Sequence, residues 1–346
     1  MKFGLFGGAV AKRGGESADS SGYTRVLDMI CEADTLGFHS VFMVEHHFTG
    51  IGQISATLST LCYLAAKTKN IRLGTGVTVL PWHNPVLVAE QAATVDLLSG
   101  GRFEFGVGKG YRDLEFHGFC MPKEEAQSRY EESLEIILKS FTSDERFSYS
   151  GKYWQFEDIL VEPPTVQKPH PPIWIAAGSD DSIAAVARSG HNVMFDQFAG
   201  IERTFDRLEI WKRTCAEIGR PYDPMQVTVA RGLTVVRTDA EYEAALDARR
   251  ERNKQFVARF GNLPGQEGKA AGCSSQRQPQ SYSDTLFADE SGAMIGKPEQ
   301  IIAQLKAMQK MGFEYVIFSM PGDAEILRIF AREIAPELQG ELLAAE

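Results

Sequence analysis

The run Ser40-Val41-Phe42-Met43-Val44 passes without a break into Glu45-His46-His47. Its β-branched and aromatic residues favour a strand buried on both faces, as in a parallel sheet. Two imidazoles and a carboxylate just beyond the carboxyl end of such a strand lie where parallel α/β folds place their chemistry. A lone histidine is more often a surface or hydrogen-bonded core residue. Two in succession after a glutamate, at a strand end, point to function.

Outward from this junction the chain alternates short apolar runs with longer helical spacings. Strands are expected at Phe3–Phe6, Ser40–Val44, Ile71–Leu80 (interrupted at Gly74 and Gly76), Arg102–Val107, Ile173–Ala177, Asn192–Phe198, Val227–Val236 and Tyr315–Ser319. Between them lie helical stretches such as Tyr23–Leu36, closed by Gly37, and Val86–Leu98, opened by Pro85. Phe147–Phe156 reads as a hairpin insertion. Eight strand–helix units fit one α/β domain over residues 1–346, a (β/α)8 TIM barrel, with a doubly wound open sheet as the alternative. Gly261–Gly296, rich in Gly, Ser, Gln and Pro, breaks the alternation and is expected as a long active-site lid.

Composition narrows the partners. Thirty-six Lys and Arg against 46 Asp and Glu give a net charge of -10, which opposes a nucleic-acid or anionic-membrane surface and favours a small-molecule partner. No uncharged apolar run is long enough to cross a bilayer. The opening Met1–Val10 has the wrong order for a signal peptide and is expected as a first strand. Five scattered cysteines, with no CxxC pair, fit a reducing cytoplasm.

A barrel would bring several further groups to the mouth with Glu45, His46 and His47: the Gly74–Gly76 bend, Lys109, Gly110 and Tyr111, and Gly178 with Ser179. Ala177-Gly178-Ser179-Asp180-Asp181-Ser182 is a small-residue turn opening a helix, so its N–H groups and hydroxyls can cradle a phosphate. It can equally be a plain helix cap, and the phosphate reading requires Asp180 and Asp181 to face solvent or the helix start. HExxH, GxxxxGK[ST], GxSxG and EF-hand patterns are all missing from the sequence. His46 and His47 need a third ligand to hold a metal, for which His83 and Glu104 are available, and no metal is expected.

With these residues in view, the chain resembles the bacterial luciferase-like flavin monooxygenase family, its alpha subunit in particular. The resemblance rests on Met1-Lys2-Phe3-Gly4, Glu45-His46-His47-Phe48-Thr49, Leu73-Gly74-Thr75 with Val79-Leu80-Pro81, and Gly101-Arg102-Phe103 followed by Phe105-Gly106, in order along nearly the whole chain. It implies a (β/α)8 barrel that takes reduced FMN (FMNH2) from a separate NAD(P)H-dependent flavin reductase. One oxygen atom of O2 is then inserted into a small organic substrate through a C4a-hydroperoxyflavin. It further implies His46 as acid/base, His47 as its neighbour, and Gly76-Val77 as a bulge with a non-proline cis peptide beside the flavin ring. Lys109, in place of an arginine, and Gly178, Ser179 and Ser182 would hold the flavin phosphate. Gly108 replaces a reactive cysteine, and Asp196 and Gln197 replace a Ser and a Trp, which puts light emission from a long-chain aldehyde in doubt. Homodimerisation through barrel helices is the family's habit. An F420-dependent oxidoreductase and a non-catalytic flavin-binding subunit are the alternatives.

Overall fold

A computed structural model describes residues 1–11, 20–50, 53–260 and 293–338. The fold is the expected (β/α)8 barrel of parallel strands with surrounding helices. The chain divides into two compact units, Leu5–Ala176 and Met1–Gly4 with Ala177–Glu346.

The first unit takes the second half of β1 (Lys2–Gly7), then β2 (Ser40–Met43), β3 (Arg72–Thr75), β4 (Thr78–Val79), β5 (Phe103–Gly108), the insertion strands β6 (Phe147–Ser150) and β7 (Gln155–Ile159), and β8 (Ile173–Ala176). The barrel strands run β1, β2, β3 with β4, β5, β8, all parallel where paired: Ser40 lies opposite Arg72, Leu73 opposite Phe103, and Phe105 opposite Ile173. Val41, Phe42, Leu73, Phe103 and Phe105 are wholly buried, as two-sided apolar strands require. β3 and β4 form one barrel strand broken at Gly76-Val77, whose peptide bond is cis. β6 and β7 pair antiparallel as the expected hairpin.

Local chemistry fixes the ends of these elements. Asn84 Oδ1 accepts the N–H groups of Val86 and Leu87 at 3.0 and 3.3 Å, Pro85 opens the helix Pro85–Ser99, and Gly100 closes it in the left-handed region at φ 66°. Asp34, buried at the end of helix Ser21–Thr35, accepts three successive backbone N–H groups, from Lys69, Asn70 and Ile71 at 2.8, 2.7 and 2.6 Å. Those donors lead directly into β3. Gly106 lets β5 approach β3, since a Cβ there would lie 1.8 Å from the Thr75 carbonyl oxygen. Gly106→Ala is therefore expected to cost about 3 kcal/mol or more in urea unfolding, because a backbone atom cannot rotate away. A loss below 1 kcal/mol would show that the two strands separate easily.

The second unit carries β9 (Asn192–Phe195), β10 (Val227–Arg231), β11 (Leu233–Val235), β12 (Met294–Gly296) and β13 (Tyr315–Ser319). β9 pairs β10 and β10 pairs β13, all parallel, with Val227 opposite Val193 and Val229 opposite Val316. Phe3 stacks on Phe318 at 5.9 Å, and both meet the edge of Phe330 at 4.9 Å.

Three expectations change. Val227–Val236 is two strands split at Gly232. The expected lid Gly261–Gly296 lies outside the described residues up to 292, but Met294–Gly296 is no part of a loose segment: it is the buried strand β12, parallel to β11 with Leu233 opposite Met294. An additional helix, Asp113–Gly118, follows β5. Among the described residues no helix is long and apolar enough to cross a membrane.

Candidate active site

Glu45, His46 and His47 leave the end of β2 and meet Trp82, His83 and Glu115, all within the unit Leu5–Ala176. His46 is pinned at both ends of its residue. Its backbone N–H donates to Ile54 O at 2.9 Å, and its ring Nδ1 lies 3.0 Å from Glu115 Oε1. A carboxylate oxygen only accepts, so Nδ1 carries the hydrogen and Nε2 is left with its lone pair. The same Glu115 oxygen accepts the backbone N–H of His47 at 3.0 Å, and Arg112 Nη1 stands 4.0 Å away. Glu115 is almost fully buried, whereas the His46 side chain keeps 15% of its surface.

Glu45 serves the other imidazoles. Its Oε1 accepts from His47 Nε2 at 3.1 Å, His83 Nε2 at 2.8 Å and Trp82 Nε1 at 3.1 Å. Burial opposes ionisation of this carboxyl, but the donors from His47, His83 and Trp82 outweigh it and hold the group below the ordinary glutamate range. Consecutive histidines thus carry their hydrogens on opposite ring nitrogens. Of the two consecutive histidines, Glu45 orients His47 and Glu115 orients His46. Sequence reading missed Glu115, because it sits in a six-residue helix too short to show a period. The one available signal was its position shortly after the carboxyl end of β5.

Aromatic rings line this corner: Trp82 stacks on Phe119 at 5.2 Å, and Phe48 and His47 each meet Phe119 at 4.8 Å. Phe48 is half exposed in the left-handed region at φ 56°. Of the other expected residues in this unit, Gly76 and Val77 form the cis peptide at the β3–β4 break. Lys109 is exposed and donates to Gln127 Oε1 at 3.1 Å, while the half-exposed Tyr111 accepts from Arg112 Nε at 3.2 Å. Glu104 is occupied elsewhere, by Arg72 and by Trp174 Nε1 at 2.6 Å.

In the second unit, Ala177 N–H donates to Met194 O at 3.2 Å, and Ser179 and Ser182 form a reciprocal capping box at the start of the helix Asp180–Ser189. Arg207 Nε holds Gly178 O at 3.0 Å while its Nη1 holds Asp196 at 2.8 Å. Asp180 and Asp181 are both exposed, and Asp180 is paired with Arg203. The carboxylates therefore meet the condition for an anion site, and the cap is formed as well. Two hydroxyls at a helix start beside Arg203 are a donor set that fits a phosphate. Asp196 accepts the N–H groups of Phe198 and Ala199, and Gln197 accepts from Ser319.

Residues 1–315 match the profile of the luciferase-like monooxygenase family. One relative, the uncharacterized protein y4vJ of Sinorhizobium fredii, is 35% identical over 183 residues; the match spans about half of each, 53% of this chain and 52% of that protein. The flavin-dependent trigonelline monooxygenase oxygenase component of Acinetobacter baylyi is 26% identical over 86% of this chain and 82% of its own length. The F420-dependent glucose-6-phosphate dehydrogenase of Amycolatopsis mediterranei is 26% identical over 93% of this chain and 97% of that one. Among solved structures, the monooxygenase RslO1 of Streptomyces bottropensis superimposes with a TM-score of 0.78 at 24% identity, over 97% of this chain and 99% of that one.

Proposed function

Since the chain belongs to the luciferase-like monooxygenase family, we propose that it is the oxygenase component of a two-component flavin system. It takes FMNH2 from a separate NAD(P)H-dependent reductase and uses O2 to put one oxygen atom into a small organic substrate. The observation that carries this reading is the His46–Glu115 pair, a histidine with Nδ1 held by a buried carboxylate and Nε2 left for proton transfer. Bound reduced flavin supplies the two electrons and the activation of O2.

The chain's own residues do the rest. Nε2 of His46 takes or returns the proton, and Glu115 fixes the ring and tautomer that make this nitrogen the reactive one. His47 and Glu45 hold the neighbouring wall, and the rings of Phe48, Trp82 and Phe119 lower the local polarity and keep water away from the proton transfer. Gly76 and Val77 are assigned to the isoalloxazine ring with Tyr111. Ala177, Gly178, Ser179 and Ser182 are assigned to the flavin phosphate.

Anaerobic titration tests the assignment. Purified protein is expected to bind FMNH2, and Ser179→Ala with Ser182→Ala to weaken it about 10-fold or more, the worth of at least one hydrogen bond to a charged group. Unchanged affinity would remove the phosphate role from that loop. Supplying FMNH2 through any flavin reductase should give O2 uptake that rises with substrate.

A second reading, hydride transfer with F420, is favoured by the full-length match to an F420-dependent dehydrogenase. Competition between reduced FMN and F420 for the protein separates the two. Tighter binding of F420, with no O2 uptake, would select the dehydrogenase.

A further inference from the structure

We propose that Glu45, His47 and His83 form a binding site for one divalent cation of the Zn2+ class. The three converge from separate segments, the end of β2 and the turn before helix Pro85–Ser99, and their ligand atoms all lie within 4.8 Å of one another. Glu45 Oε1 is 3.1 Å from His47 Nε2 and 2.8 Å from His83 Nε2. An ion with tetrahedral bonds of about 2.0–2.1 Å keeps its ligands roughly 3.3 Å apart, so Glu45 Oε1 needs to part from each nitrogen by only about half an ångström or less, and the two nitrogens already lie within 4.8 Å of each other.

Charge supplies an independent reason. Buried carboxylates are normally paired with a permanent cation or a metal. Glu104 has Arg72, and Glu115 has Arg112 nearby. Glu45, buried, has only the imidazoles and Trp82 as hydrogen-bond partners among the described residues. Of the three buried glutamates it alone has histidines and no Arg or Lys as its ion-pair partners among the described residues. Two imidazoles with one carboxylate select Zn2+, Co2+ or Ni2+ over Mg2+ and Ca2+, which prefer all-oxygen shells.

Binding moves no electrons. Each ring passes its hydrogen from Nε2 to Nδ1 through solvent, and the freed Nε2 lone pair takes the ion, with water completing the shell. Trp82 Nε1–H remains as the outer donor that orients Glu45. The His83 side chain, 31% exposed, gives the ion its way in. His46, tied to Glu115, stays outside the set.

The inference is independent of the flavin reading, and its test uses no flavin. Chelator-treated full-length protein is titrated with Co2+, followed by visible absorption, and then with Zn2+. One Co2+ per chain is expected, displaced by Zn2+, with affinity lowered about 100-fold in His83→Ala and in Glu45→Gln and about 10-fold in Trp82→Phe. His170→Ala, whose ring lies against Pro171 O, should bind as wild type. In 15N NMR of the unmutated protein, Zn2+ should move the Nε2 signals of His47 and His83 and leave His46 in place, which needs no variant to fold. Binding that is absent up to millimolar Co2+, survives in both His83→Ala and Glu45→Gln, or moves other histidines instead overturns the site.

Discussion

Replacing His46 by Ala is expected to slow turnover by about 10²- to 10⁴-fold, the usual worth of a positioned acid/base, while reduced-flavin binding stays near wild type. Glu115 sharpens this result, because its hydrogen bonds reach the His46 ring and the backbone of His47. Both bonds end on one oxygen, so the amide of Glu115→Gln can accept both and should keep the His46 tautomer and much of the activity. Glu115→Leu accepts neither. It leaves two buried donors unmet, at about 1–3 kcal/mol each, and frees the ring to move its hydrogen. The loss should fall on kcat more than on KM, and the 15N shifts of His46 should change from the Nδ1–H pattern to a mixture. Equal kinetics in the Gln and Leu variants would remove the positioning role, and wild-type turnover in His46→Ala would remove the acid/base itself.

Asp34→Ala carries a large expected loss of stability away from the site, about 3 kcal/mol, since three backbone N–H groups, that of Ile71 buried, lose their acceptor together. The effect has a pH signature. Burial alone would raise this carboxyl, but the N–H groups of Lys69, Ile71 and Asn70 and the charge of Arg102 outweigh it and hold Asp34 below the ordinary range. A group depressed in the folded state contributes its full stability above its unfolded pKa, near 3.9, and loses it as pH falls through the folded value. The gap between wild type and Asp34→Ala in urea unfolding should therefore be widest near neutrality and shrink below about pH 4. A gap that stays constant down to pH 2 would mean that the carboxylate charge contributes nothing.

The strands were legible where burial on both faces wrote itself into composition. Ser40–Met43 and Tyr315–Ser319 fall within or on the expected runs, and the hairpin announced itself through its aromatics and Gly151. So did the break at Gly76-Val77. What stayed hidden depends on contacts far apart in the chain. Nothing near residue 45 signals that His83 will share its carboxylate, 38 positions on, or that Glu115 will reach back 69 positions to His46. β12 was hidden for a different reason: three residues beside a Gly- and Ser-rich stretch carry too little pattern to register, and their pairing with β11 is what makes them a strand.

The small parallel pair β11–β12 also has an evolutionary reach. Its backbone bonds, Val236 N–H to Gly296 O at 3.0 Å and Met294 N–H to Gly232 O at 2.8 Å, hold the departure and return of the intervening chain side by side. Ile295 and Ala293 are further clasped by Leu246 of the outgoing helix Asp239–Phe260. A chimera that joins new sequence at Phe260 and Ala293 would inherit fixed splice points, because the bonds and contacts that hold them lie in β11, β12 and the helix Asp239–Phe260.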